Sequence, residues 1–486
     1  MIRTPGTLVM LACVNCVAAA DVCQSPSAAI SDQLIVGSIA GVTPSDLATL
    51  LESYAPGLEL TPEDAIAQRP IHLLHASWPV GWTLLEIEGW IDAMTVQGHP
   101  SVAWLELDYT QQIPGGGTGS IFVDLLPDFD DFLDQYSGHL IGSTAAHARA
   151  DGTGTVVAVV DTGLDASHPM LADRVAAGGF DFVTRSPDFS DRADGSDSDG
   201  DGIANELVGH GTFVSTIVRL AAPGAKILPI RVLDSDGNGR LWTLARGLYH
   251  AIDRGVEVIN ASVVSTYDST AVETALGEAS LVGIVVVASA GNCSGTERLF
   301  PAAKSDVLGV AATDHLDRKG AFSNFGDDID LAAPGSSVQG GVPSPVTAIL
   351  GGRPLDSLSS AQGTSFAAPL VAGVAALVRS QHPQWPCNET TAIAVSDVVL
   401  ASCASLVTSD PVYGTQLGAG RLDALAAVMA GPPMPRLGDL NADGLIDGVD
   451  LAAVLSAWGA THSPADLNGD GIVSAMDLSY LFADWG

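Results

Sequence analysis

Four short motifs carry side chains that, if brought together, could cleave an acyl bond. Ser365 in GTSFAAP precedes an apolar segment, where its hydroxyl could attack a carbonyl or only cap a helix. Attack needs a base and an acid that orients the base, and the candidates are His210 in GHGT and Asp161 in VVDTG. Asn292 in SAGN carries an amide that could donate to an oxyanion. These residue types predict nucleophilic catalysis only if the fold gathers them.

Each motif also has a purely structural interpretation. DTG is common in turns, and the asparagine of SAGN could belong to a turn. Among the eleven histidines, His168 in ASHPML is the rival to His210 as the base. Because His168 follows Asp161 by only seven residues in a proline-containing turn, we assign it a structural role. The glycines beside His210 are expected to leave its imidazole exposed to a cleft.

The segments that must position these side chains alternate apolar strands with helices from about residue 150 to 380. The strands are Val/Ile-rich runs, namely TVVAVV, AKILPIRV, VEVINASV, GIVVVASA and DVLGVAA. Such runs are typical of a parallel sheet covered by helices on both faces. Parallel sheets collect functional residues at the carboxyl ends of their strands, where Asp161 and Asn292 fall. The sequence therefore predicts an α/β fold for this region.

Smaller units are predicted on either side of this α/β domain, to which we assign residues 140–429. Residues 31–112 alternate strands and helices and predict a small α+β domain. A Gly-rich and acidic linker over 113–139 follows it. A Pro-rich linker over 430–435 precedes residues 436–486, which contain one segment twice, 27 positions apart. The duplication predicts a small all-helical module.

Composition excludes several classes of function. With 20 Lys and Arg against 56 Asp and Glu, the net charge of −36 would repel nucleic acid and anionic membranes. Residues 1–20 combine Arg3, an apolar stretch and three alanines, which predicts a secretory signal peptide cleaved after Ala20. No apolar run is long enough to span a bilayer. We therefore expect a secreted protein without a membrane span or a nucleic acid partner.

Cysteine usage is consistent with an oxidising compartment. The exported chain would keep Cys23, Cys293, Cys387 and Cys403, which allow three pairings. We predict a disulfide between Cys387 and Cys403, and reduced buried thiols are the alternative.

The motifs occur in the order Asp, His, Ser and resemble those of the subtilisin-like serine proteases, the subtilases. Weaker matches, including APGAKILPIRVLD, LAAPG and GAGRLDA, extend the resemblance over roughly residues 140 to 428. It implies that Asp161, His210 and Ser365 form a catalytic triad, and that Asn292 and a backbone amide at Ser365 bind the oxyanion. The substrates would be proteins or peptides.

The resemblance carries two further expectations. Val264 stands where relatives usually have a glycine in the strand lining the substrate groove, so its bulk should change which residues are accepted near the cut bond. Residues 31–112 resemble a ferredoxin-like inhibitory prodomain, with an unrelated small domain as the alternative. The chain would then cut itself between Tyr109 and Gly119, and its own prodomain would act as an inhibitor.

Two acidic regions are candidate calcium sites. The insertion DRADGSDSDGDGIANE places Asp197, Asp199 and Asp201 around glycines and resembles a thrombospondin type 3 calcium loop, with a solvated acidic insertion as the alternative. The duplicated tail resembles a type I dockerin, which implies calcium and a cohesin-like partner. Its candidate ligands are Asp439, Asn441, Asp443, Asp450, Asp466, Asn468, Asp470 and Asp477.

Two other functions compete with a secreted, calcium-binding endopeptidase. A catalytically inactive protease fold could serve as a calcium-dependent surface module, but the complete set of four motifs favours an enzyme. A lipase or esterase would also use Ser, His and Asp. The chain lacks the G-x-S-x-G motif of those enzymes, and the order of its residues differs from theirs.

Overall fold

The computed structural model describes the central α/β region and most of its flanks. The described residues are 27–114, 121–126, 132–198, 200, 202–341, 358–430, 438, 440, 446, 448–461, 463–468 and 471–483. The predicted signal peptide, most of the Pro-rich linker and Cys23 lie outside them. Within the described ranges, no helix has the length and apolar character needed to cross a bilayer.

The described part contains fifteen strands and twelve helices. The strands are β1 Ala29–Ser38, β2 Glu59–Ala65, β3 Ile71–Ser77, β4 Val102–Gln112, β5 Ile121–Leu126, β6 Val156–Asp161, β7 Phe180–Asp181, β8 Lys226–Arg231, β9 Asn238–Arg240, β10 Val258–Ala261, β11 Val285–Ser289, β12 Val307–Thr313, β13 Leu331–Pro334, β14 Val338–Gly341 and β15 Leu358–Ala361. The helices are α1 Pro44–Glu52, α2 Leu84–Gln97, α3 Tyr136–Leu140, α4 Ser143–His147, α5 His210–Ala221, α6 Leu241–Asp253, α7 Thr270–Leu281, α8 Thr364–Gln381, α9 Glu389–Ala401, α10 Ala424–Ala430, α11 Gly448–Ser456 and α12 Ala475–Ala483.

The amino-terminal unit has the order β-α-β-β-α-β that defines a ferredoxin-like arrangement. Its strands pair antiparallel in the spatial order β2-β3-β1-β4. Thr83 and Glu86 form a capping box at the start of α2, and Thr43 caps α1, so polar side chains mark both helix starts. The short strand β9 of the following domain pairs with the outer strand β4 and extends this sheet by one strand.

The central domain is built on a seven-stranded parallel sheet in the order β13-β12-β11-β10-β6-β8-β7, which confirms the predicted α/β fold. Successive residues of β6 face opposite sides of this sheet. Ala158 and Val160 belong to one apolar core with helices α6 and α7, whereas Val157 and Val159 belong to a second core with α5 and α8. Burial on both faces explains why the strands are continuously apolar.

Helix α8 crosses the interior of the second core. Its residues from Thr364 to Arg379 are all buried, which accounts for an apolar sequence on every side. It packs against α5 at Gly373, where a Cβ atom would lie 2.4 Å from the Cβ of Ala221. This close crossing holds the starts of the two helices, Ser365 and His210, on the same side of the sheet.

The tail forms the predicted helical module from α11 and α12. Its core contains Ile446, Val454, Val473 and Leu481, each almost fully buried. Trp458 follows the last turn of α11, is 50% exposed and does not belong to this core. Its repeat partner, Trp485, lies outside the described residues. Among the described residues of the tail, aliphatic side chains rather than the Trp458 indole fill this core.

The predicted disulfide between Cys387 and Cys403 is wrong, because both are free thiols. The two cysteines flank the 13-residue helix α9, whose length of about 20 Å far exceeds the reach of a disulfide. Cys293 is the cysteine of the central domain that is disulfide-bonded.

Candidate active site

Asp161 and His210 meet at the carboxyl end of the interior strand β6. Asp161 ends β6, which lies between β8 and β10, and His210 begins α5. The His210 Nδ1 atom lies 2.8 Å from Asp161 Oδ1, and both side chains are buried. Because the carboxylate can only accept, Nδ1 carries the proton and Nε2 is left as a base. The Thr162 N–H also donates to Oδ1, at 2.7 Å, and fixes the carboxylate.

The glycines around His210 serve packing rather than exposure. Gly209 adopts a left-handed conformation with φ 98° just before the helix. A Cβ atom at Gly211 would lie 2.2 Å from the carbonyl oxygen of Gly163, so only glycine lets the helix start approach the end of β6. The expectation of an exposed imidazole is therefore wrong, since His210 is 2% exposed. The rival His168 is also buried, and its Nδ1 accepts from the Met170 N–H at 3.3 Å.

Asp191 fixes the start of α5 and was not anticipated from the sequence. Its carboxylate accepts from the N–H of Gly209 at 2.8 Å and from the N–H and hydroxyl of Thr212 at 3.1 and 2.7 Å. The Thr162 hydroxyl donates to it as well, at 3.3 Å. Burial raises the pKa of Asp191, and the hydrogen bonds from Thr212 and Gly209 act in the opposite direction. Asp191 therefore ties the helix that carries His210 to the residue after Asp161.

Asn292 follows β11 and is oriented by Thr364 at the start of α8. The Asn292 Oδ1 accepts from the N–H and the hydroxyl of Thr364, both at 2.9 Å. With its oxygen so engaged, the amide presents Nδ2 as a donor, and Nδ2 donates to the carbonyl oxygen of Pro114 at 2.8 Å. A carbonyl thus already occupies the place at which an oxyanion would form.

Ser365 is the second residue of α8 and lies directly after Thr364. Its own carbonyl accepts from the Ser262 hydroxyl at 3.0 Å, which ties the helix start to the end of β10. The backbone N–H groups in the first turn of a helix have no partner within the helix and can bind a negative oxygen. Ser365 Oγ and His210 Nε2 are both buried and have no hydrogen-bond partner in the described part of the chain. The candidate nucleophile and base are therefore both available to a reactant.

Residues 110–114, which we call the groove strand, lie between β9 and Val264. Residues 110–112 pair antiparallel with β9, and Gln112 also exchanges two backbone hydrogen bonds with Val264, at 2.9 and 2.7 Å. The Ile113 N–H then donates to the Gly237 carbonyl at 3.0 Å. The bulk of Val264 does not prevent this approach, because pairing uses its backbone while its side chain is buried. An extended peptide can therefore be held here by strand addition.

The predicted calcium loop in the insertion is described only in part. Asp199 and Asp201 lie outside the described residues, and Asp197 Oδ1 accepts from the Gly202 N–H at 3.4 Å. No cluster of three or more His, Cys, Asp or Glu side chains suited to a metal occurs among the residues that the structure covers. The assignment of calcium to this insertion stays a prediction.

The second loop of the tail has a geometry that fits a calcium loop. Gly471, at the sixth position, has φ 93°, and its N–H donates to Asp466 Oδ2 at 2.8 Å. Asp477, at the twelfth position, accepts from the N–H groups of Ser474 and Asn468. Burial would raise the pKa of Asp477, but these backbone hydrogen bonds outweigh it and lower the pKa, which favours the ionised form that calcium requires.

The first loop is described less completely. Asp450, at its twelfth position, is buried and accepts from the Leu440 N–H at 2.7 Å. The remaining predicted ligands, Asp439, Asn441 and Asp443, lie outside the described residues, as does Asp470 of the second loop.

Comparisons with known protein families match the central domain and the tail. Residues 152–420 match the family described as the subtilase family, and residues 437–483 match the dockerin type I domain. Thermitase from Thermoactinomyces vulgaris is 38% identical over 250 residues, which cover 51% of this chain and 82% of thermitase. Subtilisin BL from Lederbergia lenta is 36% identical over 255 residues, which cover 50% of this chain and 84% of that protein.

A solved structure shows the same fold. Fervidolysin from Fervidobacterium pennivorans, described as a keratinolytic enzyme related to subtilisin, superposes with a TM-score of 0.63 at 22% identity. The match covers 83% of this chain and 61% of the fervidolysin chain, so this chain spans less than two thirds of that protein.

Proposed function

We propose that this chain, which belongs to the subtilase family of serine proteases and carries a type I dockerin domain, is a secreted endopeptidase that uses Asp161, His210 and Ser365. The 2.8 Å hydrogen bond between Asp161 and His210 carries the proposal. Asn292 supports it, because it holds a peptide carbonyl and accepts from Thr364, the residue before Ser365. Proteins and peptides fit the site as substrates because the groove pairs with an extended backbone.

Each residue has a proposed role in the reaction. His210 Nε2 takes the hydroxyl proton as Ser365 Oγ attacks a peptide carbonyl, and Asp161 stabilises the imidazolium that forms. Asn292 Nδ2 and the N–H at Ser365 donate to the oxyanion. The imidazolium returns the proton to the leaving nitrogen, and water then hydrolyses the acyl-enzyme by the same steps. Hydrolysis of casein by the purified protein, with its loss after a serine-directed covalent inhibitor, tests this function.

We propose that the amino-terminal unit is an inhibitory prodomain because it caps two helices of the catalytic domain. Glu106 accepts from the Ser269 hydroxyl at 2.8 Å and from the N–H groups of Thr270 and Ala271 at 2.9 and 3.0 Å, at the start of α7. Asp108 accepts from the Trp242 N–H at 3.0 Å, at the start of α6. Both carboxylates are buried, and both face the positive ends of helix dipoles.

Residues 27–114 added as a separate chain should therefore inhibit the mature enzyme, and Asp108→Ala should weaken that inhibition about 10- to 100-fold. The change leaves a buried helix start without its acceptor, which costs about 1.5–3 kcal/mol. The inhibition constant measures the effect, and Asp92→Ala, an exposed carboxylate on α2, is the control. Equal inhibition by the Asp108 variant and the control would exclude this role of the contact.

We propose that the tail binds calcium through the two loops and recognises a cohesin-like domain. The carboxylates and backbone carbonyls of such loops supply the oxygen ligands that calcium prefers. The core of α11 and α12 is small, so metal binding must contribute to folding. The surfaces of α11 and α12 that lie outside this core would be available to the partner.

The fragment 436–486 should consequently gain helical circular dichroism when calcium is added. Because one aspartate is removed from each loop, Asp443→Ala combined with Asp470→Ala should abolish the gain, whereas the exposed substitution Thr461→Ala should not. Circular dichroism is a better readout than tryptophan fluorescence, because Trp458 remains half-exposed in the folded module. A fragment that is equally helical in excess chelator would mean that the tail folds without metal.

A further inference from the structure

The groove strand fixes which peptide carbonyl faces the candidate catalytic residues. Its backbone is held at three successive residues, by β9 at Gln111, by Val264 at Gln112 and by Gly237 at Ile113. The next carbonyl along the chain is that of Pro114, and it accepts from Asn292 Nδ2 at 2.8 Å. The backbone is thus bound as an extended substrate would be, with one specific carbonyl in the oxyanion position.

The candidate reactive atoms, Ser365 Oγ and His210 Nε2, are buried and unsatisfied. Ser365 and His210 are 1% and 2% exposed, and neither Ser365 Oγ nor His210 Nε2 has a hydrogen-bond partner in the described part of the chain. Buried polar atoms are costly to leave unpaired, so they mark a place where a reactant or a reaction intermediate completes the hydrogen bonding. Pro114 is the peptide residue that reaches this end of α8, because its carbonyl is bound by Asn292, which accepts from Thr364, the residue before Ser365.

We propose that the chain matures by cutting itself on the carboxyl side of Pro114, so that the mature enzyme begins at Gly115 and its groove accepts proline before the cut bond. This inference rests on the proposed function. Ser365 Oγ bonds to the Pro114 carbonyl carbon, the bond to the Gly115 nitrogen breaks, and that nitrogen takes the proton held by His210. Water then releases Pro114 as a carboxyl terminus and restores the Ser365 hydroxyl.

The backbone hydrogen bonds of the groove strand form a ladder that disfavours cleavage at the next two peptide bonds, after residues 115 and 116. Moving the chain by one residue, to place the carbonyl of Gly115 beside Asn292, would put Pro114 where the N–H of Ile113 now donates to Gly237. Moving it by two residues would put Pro114 where the N–H of Gln112 now donates to Val264. Proline has no N–H, so either register loses a backbone hydrogen bond. The observed register keeps both of these backbone hydrogen bonds.

The first test is the mass of the two fragments produced by the full chain, with Ser365→Ala as the uncut control. We expect one fragment to end at Pro114 and the other to begin at Gly115. A chain that hydrolyses casein but begins at another residue would overturn this inference and leave the proposed function intact. A chain that neither matures nor hydrolyses casein would overturn both.

A second test perturbs the ladder without touching the reactive residues. Gln112→Pro removes the N–H that donates to Val264 at 2.9 Å, so self-cleavage after Pro114 should slow at least tenfold, whereas Gln112→Ala keeps the N–H and should mature normally.

A peptide of residues 109–119, YTQQIPGGGTG, tests the same bond without any effect on folding. The mature enzyme should cut it between proline and glycine, and cleavage at a different bond would contradict the inference.

Discussion

Replacing Ser365 with alanine should abolish casein hydrolysis and leave the chain uncut, because the same hydroxyl is proposed to serve both reactions. The expected loss in kcat is about 10⁶-fold, the size known for removal of the nucleophile in this family. Intact mass and casein hydrolysis measure the two effects. Ser380→Ala, near the other end of α8, is the matched control and should mature and hydrolyse casein normally.

A protease-free expression host is required for this comparison. If the Ser365 variant still lost residues 27–114 there, self-processing would be wrong, whatever its activity on casein. If it kept full activity on casein, a different nucleophile would have to be sought.

Replacing Asn292 with alanine should lower kcat about 10²- to 10³-fold, the range known for this donor in the family, and change KM little. In the proposed role the amide would stabilise charge that develops only in the transition state, so substrate binding would not depend on it to the same degree. Steady-state kinetics on a peptide substrate separate the two parameters. A variant with raised KM and unchanged kcat would exclude the oxyanion role.

Thr364 provides a graded control for Asn292. Thr364→Ser keeps the hydroxyl that donates to Asn292 Oδ1 and should stay close to the wild-type rate. Thr364→Val removes this donor and keeps the side-chain volume, so the amide is held by the backbone N–H of residue 364 alone. Its kcat should fall, but by less than that of Asn292→Ala.

The fold was predictable because burial on both faces of a parallel sheet leaves a clear pattern of apolar residues. The strand that ends at Asp161 was identified for this reason, and its carboxyl end is where the structure places the hydrogen bond to His210. Motifs with glycine at fixed positions were also informative, since Gly211 is required for the contact between helix and strand. Local patterns of this kind are recorded directly in the sequence.

Features that depend on distant contacts were not predictable. Asp191 lies in a long acidic loop, and nothing in its neighbours indicates that it binds the start of α5. The burial of His210 and the contact between Asn292 and Pro114 arise only when separate segments meet. The error on Cys387 and Cys403 has a local origin, because the helix α9 between them was not recognised in the sequence.

The most direct measurement of the central proposal is the position at which a fluorophosphonate reagent modifies the mature enzyme. Peptide mapping by mass spectrometry should find one adduct, on Ser365, formed in parallel with the loss of casein hydrolysis. His210→Ala should not form it at a comparable rate, because the hydroxyl then lacks its base. An adduct on another residue, or continued casein hydrolysis after complete modification of Ser365, would contradict the proposal.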